Sequence, residues 1–360
     1  MSTDKNIVIS PYSVAEALSF LRGGARGATA AQLDAVLQGV GRNVDPAARA
    51  ALRVALLKVF APDIGMSVKI ANSLWTAPQY PLTVAFADLA TNAYAAKSAS
   101  VDFGDSIASA GVINAWVKGA TDGQITNLIP PSTLDALVRA VLVNAVSFHG
   151  KWLDAFDKAA TAPAPFRLQS GRSVVVPTMH GSAAFTPSDA LTTITLPYVS
   201  DYVMRIAVPT QSTVAGLDSA MADLARPRTR TDREACGSGR LTIPRWATRS
   251  SFDLLQPLKG LGINDVFDGR RSDLTGISPA AGADRLYVSA ALHQATVTVD
   301  EDGTVAAAAT ALVARATSAE PNFGNCPDSV TVDRPFVYVI RHVATGQILF
   351  AGRVVDPFGG

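Results

Sequence analysis

The sequence is poor in the residues that build metal centres and many active sites. Its 360 residues contain two cysteines and four histidines, and no histidine lies in an H-E-x-x-H pattern. The chain also lacks the G-x-S-x-G motif of a nucleophilic serine and the glycine-rich loop that holds nucleotide phosphates. We therefore expect no enzymatic activity, no metal ion and no cofactor, and we assign structural roles to His149, His180, His293 and His342.

Charge and long apolar runs are also scarce. Charged residues make up 17% of the chain and the net charge is +1, which argues against a surface that binds nucleic acid or another polyanion. The basic run at 226–233 has no aromatic residues that would stack on bases. No apolar run reaches the ~18 residues of a membrane span, and the first residues lack the apolar core of a signal peptide. We expect a secreted or extracellular protein whose signal lies outside this chain, with a cytoplasmic location as the alternative.

The order of the predicted elements indicates an α+β fold. With 48% hydrophobic residues in 37.5 kDa, the chain can bury a large core as one domain or two. Helix-forming residues predict helices at 47–57, 81–96, 213–225 and 251–261. Strand patterns dominate after residue 139 and lie at 68–75, 140–148, 174–176, 191–196, 203–208, 240–243 and 286–299, with two more at the C-terminus. Helices and strands segregated in this way favour large antiparallel or mixed sheets.

The most informative stretch follows the strand-like residues 295–299. It reads DEDGTVAAAAT from Asp300 to Thr310, and its Asp-Gly pair is a turn signal. Alanine is a poor strand former, and small side chains lose little conformational entropy when they are buried. Such a segment can enter the space between two strands without steric conflict. We therefore predict that it is the hinge of a mobile loop.

This segment resembles the proximal hinge of the inhibitory serpins, in which two acids and a glycine precede a run of alanines and a threonine. Further segments match the patterns of that family in the same order, at 6–13, 21–29, 113–125, 143–152, 333–340 and 348–354. Several separated matches in one order are far more specific than any single match. On this resemblance the chain is identified as a member of the serpin family.

The resemblance implies a fold and a mechanism. It implies one domain over 1–360, with three β-sheets, eight or nine helices and an exposed hinge and reactive loop at 301–327. A target serine protease attacks the loop and forms an acyl-enzyme, and the loop then inserts into the main sheet and traps the enzyme irreversibly. The resemblance assigns the hinge to Glu301, Gly303, Thr304, Ala306, Ala307, Ala308, Ala309 and Thr310. Val305 departs from the family pattern, which often has glutamate there.

The resemblance also indicates the bond that the protease attacks. Counting along the loop from Glu301 as in the family places this bond between Thr317 and Ser318. A small threonine suits elastase-like or subtilisin-like proteases with small pockets. The alternative is the bond between Arg315 and Ala316, which would suit a trypsin-like protease with an acidic pocket. We expect a monomer whose partner is one of these proteases.

Other matching residues take structural roles by the same resemblance. The shutter, a polar cluster beneath the main sheet, is assigned to Ser10, Ser13, Asn144 and His293. The breach, the point at which the loop enters the sheet, is assigned to Trp152, Arg245 and Glu301. An ion pair between Arg245 and Glu301 fits this assignment, although an exposed pair contributes only about 0–1 kcal/mol.

The two cysteines have no metal-ligand spacing. In the serpin fold, the strands that follow Cys236 and Cys326 are neighbours in one small sheet, so the resemblance implies a possible disulfide. Such a bond would close a loop of about 90 residues, for which chain-entropy models give roughly 4–5 kcal/mol. Two free thiols are the alternative, because the Cα atoms must lie within about 7 Å of each other.

The resemblance leaves two other functions open. A non-inhibitory serpin that acts as a carrier or chaperone is one alternative, but such proteins usually have bulky or charged hinge residues. An inhibitor of a cysteine protease is the other, because the same fold serves both protease classes.

Arginine outnumbers lysine by 23 to 8, which is typical of GC-rich coding and leads us to expect a bacterial source.

Overall fold

The computed structural model describes residues 5–39, 66–226, 236–280, 284–304 and 326–359. These residues form six α-helices, namely α1 (Pro11–Gly24), α2 (Gly27–Gly39), α3 (Val84–Tyr94), α4 (Ser106–Ala120), α5 (Val214–Ala225) and α6 (Leu255–Gly260). Within these ranges no helix has the length and apolar character needed to cross a membrane. The predicted helix at 47–57 lies outside the described residues.

The described strands form two sheets, and the first of these has six strands. In spatial order they are β10 (Trp246–Asp253), β11 (Ala290–Val299), β12 (Gly303–Thr304), β4 (Ala140–Lys151), β2 (Met66–Thr76) and β3 (Lys97–Ser100). Residues 140–148 of β4 are all buried, because packed side chains cover the centre of this sheet on both faces. Burial on both faces explains why β4 reads as a nearly continuous apolar run rather than an alternating one.

The second sheet has nine strands. The main path is β1 (Ile7–Ile9), β15 (Ile348–Val354), β14 (Phe336–His342), β8 (Tyr202–Pro209), β7 (Leu191–Pro197), β6 (Ser173–Pro187), β9 (Gly237–Pro244) and β13 (Ser329–Thr331), and β5 (Ala162–Arg167) also pairs with β6. The 15-residue strand β6 pairs with β7 through residues 184–187 and with β9 through residues 178–185. One long strand therefore joins two halves of the sheet.

The expected sheet and helix counts need correction, although the α+β class is confirmed. The part of the chain that the structure describes has two sheets instead of the expected three, because β6 continues without a break from the pairing with β9 into the pairing with β7. The described residues contain six α-helices rather than eight or nine. The predicted helix at 251–261 is also wrong over its first part. Residues 246–253 form β10 and pair with β11 along eight positions, so that only 255–260 are helical.

The core has two main regions. One lies between the two sheets, and the other packs against the half of the six-stranded sheet that contains residues 140–145 of β4. Phe148 on β4 illustrates the first region, with its ring centroid 5.1 Å from that of Tyr198 and 5.9 Å from that of Phe350. In the second region, Phe20 of α1 stacks on Phe86 of α3 at 5.0 Å. These contacts fix β4 against the nine-stranded sheet, and β4 in turn forms one wall of the site described next.

Candidate functional site

The predicted hinge begins inside the six-stranded sheet. Strand β12 lies between the upper ends of β11 and β4, where Thr304 is opposite both Val299 and Gly150. Below this point β11 and β4 pair directly in parallel, from residues 290 and 141 up to residues 296 and 147. We call the path between these two strands, continued downwards from β12, the insertion lane. The two strands are thus already separated by β12 at the top of the lane, and they pair directly with each other along the rest of it.

Gly303 and Thr304 fit the top of the lane closely. Gly303 has φ +151°, and a Cβ atom there would lie 2.0 Å from the carbonyl oxygen of Gly150. Glycine is therefore required by both its backbone conformation and the close approach of β4. The Thr304 side chain is fully buried, and its Oγ1 lies 2.7 Å from the hydroxyl of Tyr198. This contact holds the first inward-facing hinge residue in place.

Backbone hydrogen bonds anchor the acidic turn before β12. The indole Nε1 of Trp152 donates to the carbonyl of Asp300 at 3.0 Å, and the backbone N–H of Trp152 donates to Asp302 at 3.0 Å. The backbone N–H of Phe156 donates to the carbonyl of Glu301 at 2.9 Å. Trp152 also stacks on Tyr198 with ring centroids 4.5 Å apart. Three successive carbonyls are fixed in this way, so the hinge has a defined starting point.

Glu301 is held by its side chain as well. Its Oε1 accepts from Arg245 Nη2 at 2.5 Å and from Nε at 2.7 Å, and also from the Thr161 hydroxyl. Burial favours a higher pKa for Glu301, but the hydrogen bonds from Thr161 and Arg245 outweigh it and hold the pKa below the usual glutamate value. The Glu301 side chain is 2% exposed and that of Arg245 is 42% exposed. The breach pair expected from the sequence is therefore present, with its acidic end buried.

The four predicted shutter residues lie together at the middle of the lane. His293 on β11 and Asn144 on β4 are directly opposite each other, and His293 Nδ1 donates to Asn144 Oδ1 at 2.5 Å. Asn144 Nδ2 donates to Ser13 Oγ at 2.6 Å, and the backbone N–H of Ser10 donates to His293 Nε2 at 3.3 Å. Burial lowers the pKa of His293 to about 4. The ring is thus neutral at neutral pH, and both of its nitrogens have partners.

Sequence reasoning missed three residues of this site. Tyr198 contacts Thr304, Thr161 contacts Glu301, and Asn72 on β2 accepts a hydrogen bond from Asn144 Nδ2 at 2.5 Å. No local pattern marks these residues, because each reaches the site through the pairing of strands that are distant in sequence. The other predicted residues of the hinge and the reactive bond, Ala306, Ala307, Ala308, Ala309, Thr310, Arg315, Ala316, Thr317 and Ser318, lie outside the described residues.

The two cysteines are joined by a disulfide with a Cα–Cα distance of 5.4 Å. Cys236 immediately precedes β9 and Cys326 lies three residues before β13. Both cysteines are half-buried and pack against the core between the sheets. The bond therefore fixes the chain at the far end of the undescribed segment 305–325.

Comparison with known proteins gives consistent similarities over almost the whole chain. A family model described as serpin (serine protease inhibitor) matches residues 1–357. A leukocyte elastase inhibitor from Bos taurus is 35% identical over 364 residues, covering 98% of this chain and 93% of the relative. A glia-derived nexin from Mus musculus is 33% identical, with coverages of 98% and 88%. The crystal structure of Serpin48 from the insect Tenebrio molitor has a TM-score of 0.84 at 27% identity, with coverages of 98% and 92%.

The organisms of these relatives bear on the expected origin of the chain. The three proteins come from cow, mouse and an insect. A bacterial source, expected from the excess of arginine over lysine, therefore receives no support from them.

Replacing Arg245 tests how much its ion pair with the buried Glu301 carboxylate contributes to stability. We expect Arg245→Met to lower the free energy of unfolding at pH 7 by about 1–3 kcal/mol, because the buried Glu301 carboxylate loses a charged partner. The pKa of Glu301 is lowered in the folded protein. Its ionised form therefore contributes stability above the unfolded pKa of about 4.3, and this contribution is lost as the pH falls through the lower folded pKa. Urea unfolding at pH 7 and in this acidic range measures both effects.

Lys69→Met is the matched control, since Lys69 has a similar exposed fraction of 44% but pairs with Asp122, which is 65% exposed. We expect this variant to lose less than about 1 kcal/mol. Equal losses in the two variants at pH 7 would contradict a special role for the buried carboxylate.

Proposed function

The chain belongs to the serpin family, and from this membership we propose that it is an irreversible, single-use inhibitor of a serine protease. The whole chain, 1–360, acts as one domain, with the hinge and reactive loop at 301–327. The observation that carries the proposal is the position of β12, whose two residues already lie between β11 and β4. The protein is not an enzyme on this view, because the catalytic groups belong to its target.

The strand register supports insertion of the rest of the hinge. When the pairing of Thr304 with Val299 and Gly150 is continued down the lane, Ala307 falls between Thr296 and Ser147. Thr296 and Ser147 are already opposite each other in the direct β11–β4 pair. The same agreement holds at each position down to residue 313, which falls between residues 290 and 141. A strand can therefore enter the lane without any change in the register of its two neighbours relative to each other.

The hinge side chains suit the space that this register gives them. Strand alternation turns Ala306 and Ala308 to the same inward face as the buried Thr304. Ala306 would lie between Val297 and Phe148, two side chains that are fully packed in the core. Small residues are therefore needed on the inward face, and each hydrogen bond that an inserted residue adds to the ladders contributes about 1 kcal/mol.

Thr310 would reach the shutter. Its register position lies between His293 and Asn144, whose side chains now share a hydrogen bond. An inserted strand moves these neighbours from about 4.8 Å to about 9.6 Å apart, so that this hydrogen bond must break. The hydroxyl of Thr310 can donate to one of the two groups and accept from the other. We therefore assign Thr310 the role of replacing a lost contact between buried polar groups.

The reaction with the protease proceeds at the loop. The catalytic serine of the protease attacks the carbonyl carbon of Thr317, the peptide bond to Ser318 breaks, and an ester joins the loop to the protease. Insertion then carries the ester along the sheet before water can hydrolyse it. The name of the bovine relative, leukocyte elastase inhibitor, supports an elastase-like target and hence this bond. Attack at Arg315 by a trypsin-like protease is the alternative.

The remaining expectations are part of the same proposal. The disulfide between Cys236 and Cys326 fits an oxidising compartment and so supports secretion. We propose a monomer with a protease as its partner and with no nucleic-acid or membrane partner. The run of four alanines disfavours a carrier or chaperone, because no bulky residue obstructs insertion.

Incubation with a panel of proteases tests the function directly. We expect a complex of inhibitor and protease that survives boiling in SDS with an elastase-like or subtilisin-like enzyme. N-terminal sequencing of the released C-terminal fragment identifies the attacked bond. Cleavage by every serine protease tried, without a covalent band, would place the protein among the non-inhibitory serpins. Complexes formed only with cysteine proteases would support that alternative.

Thr304→Arg tests insertion at the top of the lane. The burial of Thr304 against Tyr198 means that an arginine there would cost several kcal/mol. We expect the loop to be cut without forming a stable complex. Val305→Arg is the matched control, because residue 305 would point outwards between the half-exposed Thr298 and His149, and this variant should still inhibit. Equal complex formation by both variants would refute the insertion account.

Thr310→Val tests the shutter contact. In the cleaved protein, valine leaves the separated His293 and Asn144 without their new partner, at a cost of about 1–3 kcal/mol for each unsatisfied group. We expect a lower unfolding temperature for the cleaved variant and no change for the uncut one, with Thr310→Ser behaving like the wild type. Circular dichroism on cut and uncut samples measures this. A cleaved Thr310→Val protein as stable as the wild type would rule out the assigned role.

A further inference from the structure

An open depression in the surface lies at the end of β11 that is farthest from the hinge. It has a volume of about 630 Å³ and is bounded by Lys259 of α6, the turn at 264–271, and Tyr287. Tyr287 comes three residues before the start of β11 at Ala290, whereas β12 pairs with Val299 at the other end of that strand. The length of β11 separates the two ends by about 30 Å. The depression is therefore distinct from the hinge and the breach.

Positive charge predominates around this depression. Its charged groups are the basic side chains of Lys259, Arg270 and Arg271 and one carboxylate, that of Asp268. Arg271 Nε lies 3.0 Å from Asp268 Oδ2 and 3.3 Å from Asp265 Oδ1, so that its charge is balanced. Within the described part of the chain, Lys259 and Arg270 have no acidic partner. Two positive charges are thus left without a counter-charge on one concave surface.

Hydrogen bonds fix the backbone of the turn that carries these groups. The N–H groups of Asn264 and Asp265 donate to Gln32 Oε1 of α2 at 2.8 and 2.9 Å. The N–H of Arg270 donates to Asp268 Oδ1 at 2.8 Å, and this bond contributes most to a pKa of Asp268 below the usual aspartate value. The turn therefore has a defined shape before any ligand arrives, which reduces the entropy lost on binding.

The polar lining indicates which kind of anion fits. The amide of Asn264 adds a neutral donor to the ammonium of Lys259 and the guanidinium of Arg270. A phosphate monoester presents three terminal oxygens that can accept from such a set of donors, and it carries about −1.5 to −2 charges at pH 7. A carboxylate has only two oxygens and one charge. The lining therefore suits a phosphate better than a carboxylate.

The apolar lining and the volume indicate that the phosphate is attached to an organic group. The rings of Phe267 and Tyr287 line the same depression, and a bare phosphate ion would make no use of them. A Cβ atom at Gly269 would lie 3.1 Å from two carbon atoms of the Tyr287 ring, so that the backbone of the turn packs against this half-exposed ring and holds it. The volume falls within the range of about 300–1,000 Å³ that is usual for small-molecule sites.

We infer that this depression binds a small organic phosphate monoester, with Lys259 and Arg270 contacting the phosphate and Tyr287 contacting the organic group. One dianion needs only two local charges, so the site is consistent with the low net charge of +1. The inference goes beyond the proposed function, because the site shares no residue with the hinge and binding needs no protease.

Isothermal titration calorimetry of the full chain with phenyl phosphate tests the site. We expect saturable binding at pH 7 and at a constant ionic strength set with sodium chloride. The double variant Lys259→Gln/Arg270→Gln should bind at least about ten-fold more weakly, because charge-assisted hydrogen bonds to the phosphate are lost. Lys118→Gln/Arg172→Gln is the matched control, since it removes two positive charges from exposed positions outside the depression. This control should bind like the wild type.

Two further ligands separate the contributions of the phosphate and the ring. Inorganic phosphate lacks the organic group and phenol lacks the charge, so each should bind at least about ten-fold more weakly than phenyl phosphate. Circular dichroism shows that both double variants are folded. The inference is overturned if phenyl phosphate gives no saturable binding, if both double variants lose affinity equally, or if inorganic phosphate or phenol binds as tightly as phenyl phosphate.

Discussion

The direct pairing of β11 with β4 is the interaction on which the rest of this structure depends. These parallel strands carry the His293–Asn144 hydrogen bond between them, and they face the core between the two sheets. Parallel ladders are slightly weaker per residue than antiparallel ones, and a strand that enters between them forms two antiparallel ladders with the same flanking residues. On the proposed mechanism, the pair must be stable enough to stay closed and weak enough to be replaced. Its register already meets the second requirement, because opposite residues remain opposite.

The same constraint explains the composition of the hinge. Gly303 is needed where the chain turns into the sheet against Gly150, and Thr304 is the first residue to fill an inward position. Further down, the inward positions face side chains that are packed before any insertion takes place, such as Phe148. Alanine adds little volume there, and its low strand propensity disfavours a fixed strand outside the sheet. On the proposed mechanism, the composition is thus a compromise between two states of one segment.

Sequence reasoning predicted the features of this site that have a local sequence pattern and missed those that depend on the pairing of strands distant in sequence. Glycine and acids at the hinge, the strand β4 and the polar shutter residues all carry recognisable patterns. Tyr198 and Thr161 carry none, because their roles arise only when β7 and β5 are placed beside the breach. Residues 251–253 of β10 fell within the predicted helix and residues 246–250 were not predicted as a strand, since the short polar run ATRSS has no strong strand propensity. Pairing with β11 along its full length decides its structure.

The two ends of the loop are held by different chemistry, and this difference has consequences for control. Glu301 is fixed by an ion pair whose carboxylate is buried and which weakens as acid protonates that carboxylate, whereas Cys326 is fixed by a covalent bond that reductants, and not acid, can break. Glu301 lies at the start of the segment that is proposed to insert, whereas Cys326 lies beyond the proposed reactive bond. Cleavage at that bond would therefore leave the two anchors on separate fragments, so that the fragment with the hinge would keep only the ion pair and the other fragment only the disulfide.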